Sequence, residues 1–117
     1  QTRHAGEYWP AVLKQAVSYI ETRFSDSLQL TGVAEHCEVS TGYLSRLFSE
    51  HLGVNFNDYL NQVRIAAAQR LLEAGEHPVK EIAFSVGYHD PNYFSRIFKK
   101  FTGISPSSYA QKEEPYA

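Results

Sequence analysis

A chain of 117 residues, 43% hydrophobic and 14% aromatic, falls within the size of one domain and carries enough apolar side chain for a small core. No run approaches the roughly 18 apolar residues that span a bilayer, and the start, QTRHAGEYWP, lacks the charged-then-apolar order of a signal peptide. A cytoplasmic protein with no membrane partner is therefore expected. The single cysteine, Cys37, excludes an intrachain disulfide, and the net charge of −2 lacks the basic footprint common among nucleic-acid binders.

Residues 1–8 show no apolar period and read as a tail or linker, and the absence of any methionine, including a first one, is the pattern of a fragment of a longer protein. Residues 9–112 read as one all-α domain. Pro10 opens a first helix in which Val12, Leu13, Ala16, Val17, Ile20 and Phe24 recur at helical spacing, and Ser25, Asp26 and Ser27 end it. From about 29 to 53 two short helices follow. The first lacks an ideal cap at Gln29, places Gly32 inside and ends at Glu38; Ser40 caps the second, and Gly42 leaves its first turn without a side chain.

Asn55 then caps a long helix, about 56–74, with Phe56, Leu60, Val63, Ala67, Leu71 and Ala74 read as one apolar stripe and Gly75 as its stop. His77 and Pro78 restart the chain for a second helix pair, about 78–103. Here Ile82, Ala83 and Val86 form one apolar face, and Gly87 stands where a left-handed residue is needed. Asp90 and Pro91 give a helix start, a capping oxygen followed by a ring preset to helical φ. Phe94, Ile97, Phe98 and Phe101 form the stripe behind it, with Asn92, Ser95, Arg96 and Lys99 facing away. Ser105 and Pro106 open a last short helix through Tyr109, and 113–117 read as a second tail.

The two pairs are copies. Val33, Ala34 and Cys37 return as Ile82, Ala83 and Val86 at an offset of 49, and Tyr43, Leu44, Ser45, Arg46, Phe48 and Gly53 return as Tyr93, Phe94, Ser95, Arg96, Phe98 and Gly103 at an offset of 50. The turn has gained one residue, and Tyr59 maps onto Tyr109. Two copies are too few for a solenoid. They read as two helix-turn-helix motifs joined by a linker helix, each with an exposed polar helix face of the kind that suits a major groove.

The segments IAFSVGY and PNYFSRIFKKFTGISPSSY, with their spacing, resemble the C-terminal signature of AraC/XylS-type transcription regulators. PNYFSR is also similar to response regulators of that family, in which a receiver domain precedes the helices. The resemblance implies seven helices holding two helix-turn-helix motifs, and sequence-specific binding of double-stranded promoter DNA through two recognition helices. It also implies regulation of transcription, with RNA polymerase as a further partner and an N-terminal sensor or receiver domain outside this fragment.

Arg46 and Arg96 lie six residues after their caps, on equivalent exposed faces. A guanidinium there can bond bidentately to guanine O6 and N7, worth roughly 1 to 3 kcal/mol of discrimination. The bland alternative for a surface arginine is solvation or pairing with glutamate; within this duplicated frame base contact is the stronger expectation. Asn92 is placed for adenine or a phosphate, against local bonding at the helix end, and Ser45 joins the base-contact set. Thr41, Tyr43, Tyr93, Ser95, Lys99 and Lys100 are expected at the DNA backbone or at bridging waters, although Tyr43 and Tyr93 can equally pack on the preceding helix. Acids gather elsewhere, at Glu35, Glu38, Glu50, Glu73, Glu76 and Glu81, whereas Pro91 to Lys112 carries four lysines and arginines and no acid. The electrostatic contribution to binding is accordingly expected to be modest.

The spacing of Phe94, Phe98 and Phe101 favours core over base stacking. The five histidines show no HExxH or paired ligand spacing, and no CxxC pair, nucleophile elbow, P-loop or dinucleotide fingerprint appears. No metal, cofactor or enzymatic activity is expected. Two rivals stand beside the DNA reading. A helical protein-interaction adaptor is favoured slightly by net acidity. A methyl acceptor using Cys37 is disfavoured by an apolar setting without a nearby Lys or Arg in sequence.

Overall fold

A computed structural model describes residues 8–113, with side chains for 8–111, and contains seven α-helices and no strand among them. Apart from Tyr8 and Glu113, the two expected tails lie outside the described residues. In chain order the helices are α1 (Ala11–Arg23), α2 (Leu30–His36), α3 (Thr41–Leu47), continued by a π-helical turn (Phe48–Leu52), α4 (Phe56–Ala74), α5 (Val79–Ser85), α6 (Pro91–Thr102) and α7 (Pro106–Glu113). The chain divides into two units, Gln1–Leu60 and Asn61–Ala117.

In the first unit, α1 buries Leu13, Ala16 and Ile20 completely and packs against α2 and α3. Those helices contribute Val33, Ala34, Leu44, Leu47 and Phe48 to the same core. Phe48 meets Phe56 and Tyr59 edge-on, at ring separations of 6.0 and 5.7 Å, which fixes the start of α4. The Tyr59 hydroxyl then donates to Glu21 of α1 at 3.3 Å. Ring burial supplies most of the stabilisation at this corner, and the polar bond sets its orientation.

The second unit repeats this plan. Ile65, Ala68 and Leu72 on the C-terminal part of α4 are buried at the spacing of Leu13, Ala16 and Ile20, at an offset of 52. Ile82, Ala83 and Val86 of α5 and Phe94 and Phe98 of α6 complete the core. Phe98 meets Tyr109 edge-on at 5.5 Å, and the Tyr109 hydroxyl donates to Glu73, which stands to α4 as Glu21 stands to α1. The duplication therefore covers three helices and the start of a fourth, adding the preceding helix to the helix pairs and the match of Tyr59 to Tyr109 legible in sequence.

This corrects the single stripe expected on α4. Val63 and Leu71 are only half-buried and Ala74 is exposed, while Ile65, Ala68 and Leu72 are buried. A single stripe presumes one partner along the whole helix. The N-terminal turns of α4 close the first repeat, with Phe56 and Leu60, and its C-terminal turns open the second, so the buried side changes along the rod.

Within each motif the turn is set by the same backbone bonds. The Val39 N–H donates to the Ala34 carbonyl at 3.0 Å and the Glu38 N–H to the Glu35 carbonyl at 3.0 Å; Tyr88 and Gly87 make the equivalent bonds to Ala83 and Phe84 at 2.9 and 3.1 Å. These paired bonds form a Schellman ending, which needs a left-handed residue at its centre. Gly87 fills that place with φ 112°, but in the first motif it falls to Glu38, the one non-glycine with positive φ among the described residues, at 60°. A side chain there is strained by about 1 kcal/mol. Glu38→Gly is expected to stabilise the protein by about 0.5–1 kcal/mol and Gly87→Ala to destabilise it by about 1 kcal/mol or more. Urea midpoints at unchanged m-value measure both.

Candidate nucleic-acid interface

Both second helices start on a side-chain cap. Ser40 Oγ accepts the Tyr43 N–H at 3.1 Å, and Asp90 Oδ1 accepts the Asn92 N–H at 2.9 Å with Pro91 in the first helical position. Each cap is worth about 1 kcal/mol and fixes where the exposed face begins. On α3 that face presents Gly42, Ser45 and Arg46, with Thr41 and Tyr43 half-buried; on α6 it presents Asn92, Tyr93, Arg96, Lys99 and Lys100, with Ser95 half-buried. A Cβ at Gly42 would meet nothing within 4 Å, so packing does not require glycine there.

The two arginines adopt the same local arrangement. The Arg46 guanidinium lies over the Tyr43 ring at 5.3 Å, and that of Arg96 over Tyr93 at 5.7 Å. Cation–π stacking at i, i+3 lowers the number of rotamers each arginine explores while leaving its outward N–H groups to solvent.

Their further neighbours differ. Arg46 Nε lies 3.6 Å from Glu50 Oε2, one turn along, with both side chains more than half exposed at 61% and 56%. The glutamate pairing that was expected to give way within the duplicated frame is thus present at Arg46. Glu50 follows four residues on, in the π-helical turn that continues α3. At the offset of 50 its counterpart is Lys100, which lies 5.8 Å over the Phe101 ring.

A second feature escaped the sequence reading. Tyr88, in the turn before α6, is buried, donates its hydroxyl to Asn61 Oδ1 at 2.6 Å, and holds its ring 6.0 Å from Tyr93 and 5.4 Å from Phe94. The Arg64 guanidinium of α4 lies 5.3 Å over that ring. Burial pushes the Tyr88 phenol well above its ordinary pKa, with Arg64 opposing, and burial lowers the Arg64 value. The phenol therefore stays a neutral donor at physiological pH. Arg64, Tyr88, Tyr93 and Arg96 form a ladder from α4 to α6 in which two adjacent rings lie between two cations. Val39 occupies the place of Tyr88 in the first motif and Val12 that of Arg64, so the first unit lacks this ladder. The only sequence signal was the extra residue in the second turn.

The remaining candidates separate cleanly. Thr41 and Ser45 line a cleft of about 480 Å³ of mixed polar and apolar character, with Leu30, Asn55, Phe56 and Asn57. Phe94 and Phe98 are fully buried, whereas Phe101 is half-buried and lines a groove of about 510 Å³ with Ile65 and Ile104. His36 stacks on Tyr19 at 4.0 Å and His77 Nδ1 lies 3.3 Å from Glu81. Cys37 is buried, and burial pushes its thiol pKa up, which keeps it a poor nucleophile. Among the described residues no helix is long and apolar enough to cross a membrane.

Paired helices with a Schellman turn, a capped second helix and an outward tyrosine-stacked arginine define a tandem helix-turn-helix protein. A helix-turn-helix domain model matches residues 33–112. The chain is 38% identical over 102 residues to the uncharacterized HTH-type transcriptional regulator YijO of Escherichia coli K12, covering 87% of this chain and 36% of that protein. It is 37% identical over 98 residues to the arabinose operon regulatory protein of the same organism, covering 83% and 34%. Among solved structures it is similar to the C-terminal domain of AraT, a response regulator from Geobacillus stearothermophilus, with a TM-score of 0.87, 39% identity, and coverage of 92% of this chain and 89% of that one. The chain belongs to the AraC/XylS family. It spans about a third of the length of the two full-length relatives.

The ladder gives a direct stability test. Tyr88→Phe keeps the ring and removes the hydroxyl, and is expected to cost about 1 kcal/mol. In a double-mutant cycle with Asn61→Ala the two losses should couple, since both remove the same bond.

Proposed function

We propose that this chain binds double-stranded promoter DNA sequence-specifically and regulates transcription, with α3 and α6 as recognition helices in successive major grooves, about one turn or roughly 34 Å apart. One chain then reads two sub-sites, and a dimer is not required to occupy two grooves. The observation that carries this reading is the repeated, capped second helix with an exposed Tyr-x-x-Arg stack at an offset of 50.

Arg46 and Arg96 contact guanine, and Asn92 and Ser45 contact other base edges, since all four are exposed on the outward faces. Thr41, Tyr43, Tyr93, Ser95, Lys99 and Lys100 contact phosphates directly or through water. Tyr43 and Tyr93 do so from beneath their arginines, where the ring limits the guanidinium's freedom and the hydroxyl remains a donor. In the longer protein an N-terminal sensor or receiver domain sets the output, in line with the similarity to a response regulator's C-terminal domain, and RNA polymerase is a further partner. The protein acts in the cytoplasm and performs no catalysis of its own.

Selection of sites from a random duplex library, followed by gel shifts across salt concentrations, tests the reading. Arg96→Ala is expected to lose about 1 to 3 kcal/mol on the selected site and to relax preference at one base position. Lys99→Ala should weaken all sequences alike and lower the salt slope by about 0.9 if it neutralises one phosphate. Equal affinity of wild type and Arg96→Ala on the selected site would count against the reading. A protein that ignores duplex DNA in low salt would leave the acidic-partner adaptor as the better account.

A further inference from the structure

We infer that Glu50 is a specificity-determining residue that holds Arg46 back from non-cognate DNA. The inference rests on the DNA-binding reading above and goes beyond it by assigning a role to a residue outside the contact set.

Three observations carry it. Arg46 Nε is 3.6 Å from Glu50 Oε2, and both side chains are largely exposed, so the pair is accessible to a competing anion. Although Glu50 lies in the π-helical turn that continues α3, its carboxylate reaches the Arg46 guanidinium, so the two side chains share one side of the motif. The duplicate position is Lys100, so the same place carries opposite charge in the two motifs. From Ser40 to Gly53 the only full charges are Arg46 and Glu50, which cancel; from Asp90 to Gly103 Arg96, Lys99 and Lys100 stand against Asp90 alone.

The energetics favour a restraint over a lock. An exposed pair is weak, so a well-placed guanine, which accepts two bonds from one guanidinium, displaces Glu50 readily. A lone phosphate on a mismatched site offers Arg46 little more than the carboxylate does. Glu50 therefore lowers non-specific affinity more than specific affinity, and discrimination by the first motif increases because an unfavourable contact awaits the wrong partner. Arg96 has no such partner at i+4, and the second motif supplies the sequence-independent attraction.

Wild type, Glu50→Gln, Glu50→Asp, Arg46→Ala and the double variant Arg46→Ala with Glu50→Gln are compared by fluorescence anisotropy on a library-selected duplex and on random duplex, across salt, with thermal melts as a folding control. Glu50→Gln is expected to bind random duplex about two- to fivefold more tightly, with a salt slope steeper by about 0.9, and to lose discrimination by a similar factor. Glu50→Asp should retain most of the wild-type behaviour, and the gain from Glu50→Gln should vanish when Arg46 is absent. Unchanged random-duplex affinity in a folded Glu50→Gln protein overturns the inference, as does an undiminished gain in the Arg46→Ala background, which would make Glu50 a simple phosphate repellent. If wild type binds neither duplex, the DNA-binding reading itself fails, a result distinct from both.

Discussion

Each helix-turn-helix rests on a third helix through a buried aliphatic triplet spaced at i, i+3 and i+7. Leu13, Ala16 and Ile20 form it in α1, and Ile65, Ala68 and Leu72 form it in α4. Two helices of seven residues each, such as α2 and α3, cannot hold themselves together in water, because a short helix gains too few bonds to offset nucleation. Fully burying each leucine or isoleucine contributes about 2 kcal/mol and places α1 as the surface against which α2 and α3 pack. The central alanine matters as much as its large neighbours, since it leaves room for close approach of the packed elements. The tyrosine at the start of the following helix then closes each unit, at Tyr59 through Phe48 and Glu21, and at Tyr109 through Phe98 and Glu73.

On this shared frame the two motifs have diverged in how they hold their outward arginine. Tyrosine stacking is common to both, so the orientation of the guanidinium is set by the same i, i+3 geometry. The first motif adds an acid at i+4. The second adds a buried tyrosine behind the stacked ring and a second arginine behind that. A carboxylate competes with any incoming anion for the guanidinium, whereas a ring does not, because its contact uses the guanidinium face and leaves the N–H edge available. The net charge of −2 consequently says little about the faces proposed to meet DNA.

Much of the fold was legible because backbone constraints have local chemical signatures. Ser40 and Asp90 with Pro91 announced helix starts, Gly75 announced a helix stop and Gly87 a left-handed residue, and both glycines have positive φ. Glu38 was harder to read, since its φ of 60° is imposed by the Schellman bonds around it and not by its own preference. The α4 stripe was misread for a related reason. Periodicity reports which residues are apolar, but it cannot report that a helix changes partner midway, and Val63 and Leu71 are as hydrophobic as Ile65 and Leu72.

Among the site residues, those set by helix phase were legible, and those set by contacts across the fold were not. Arg46, Arg96, Asn92 and Ser45 could be placed on exposed faces by counting from a cap. Tyr88 meets Asn61 through a bond spanning 27 residues and Arg64 through its ring, and no local pattern encodes either contact. Glu50 falls between the two cases. Its distance of four residues from Arg46 was visible, yet inside a duplicated frame the natural inference treated the two arginines as equivalent, and a repeat directs attention to what is shared. The informative positions are those where the copies disagree: Glu38 against Gly87 and Val39 against Tyr88 at matched turn bonds, and Glu50, in a π-helical turn, against Lys100 in regular α-helix. At the two turn positions the backbone requirement is held constant, so the differences report strain tolerated in the first motif and a support present only in the second, while the third pair reverses the charge along the recognition face.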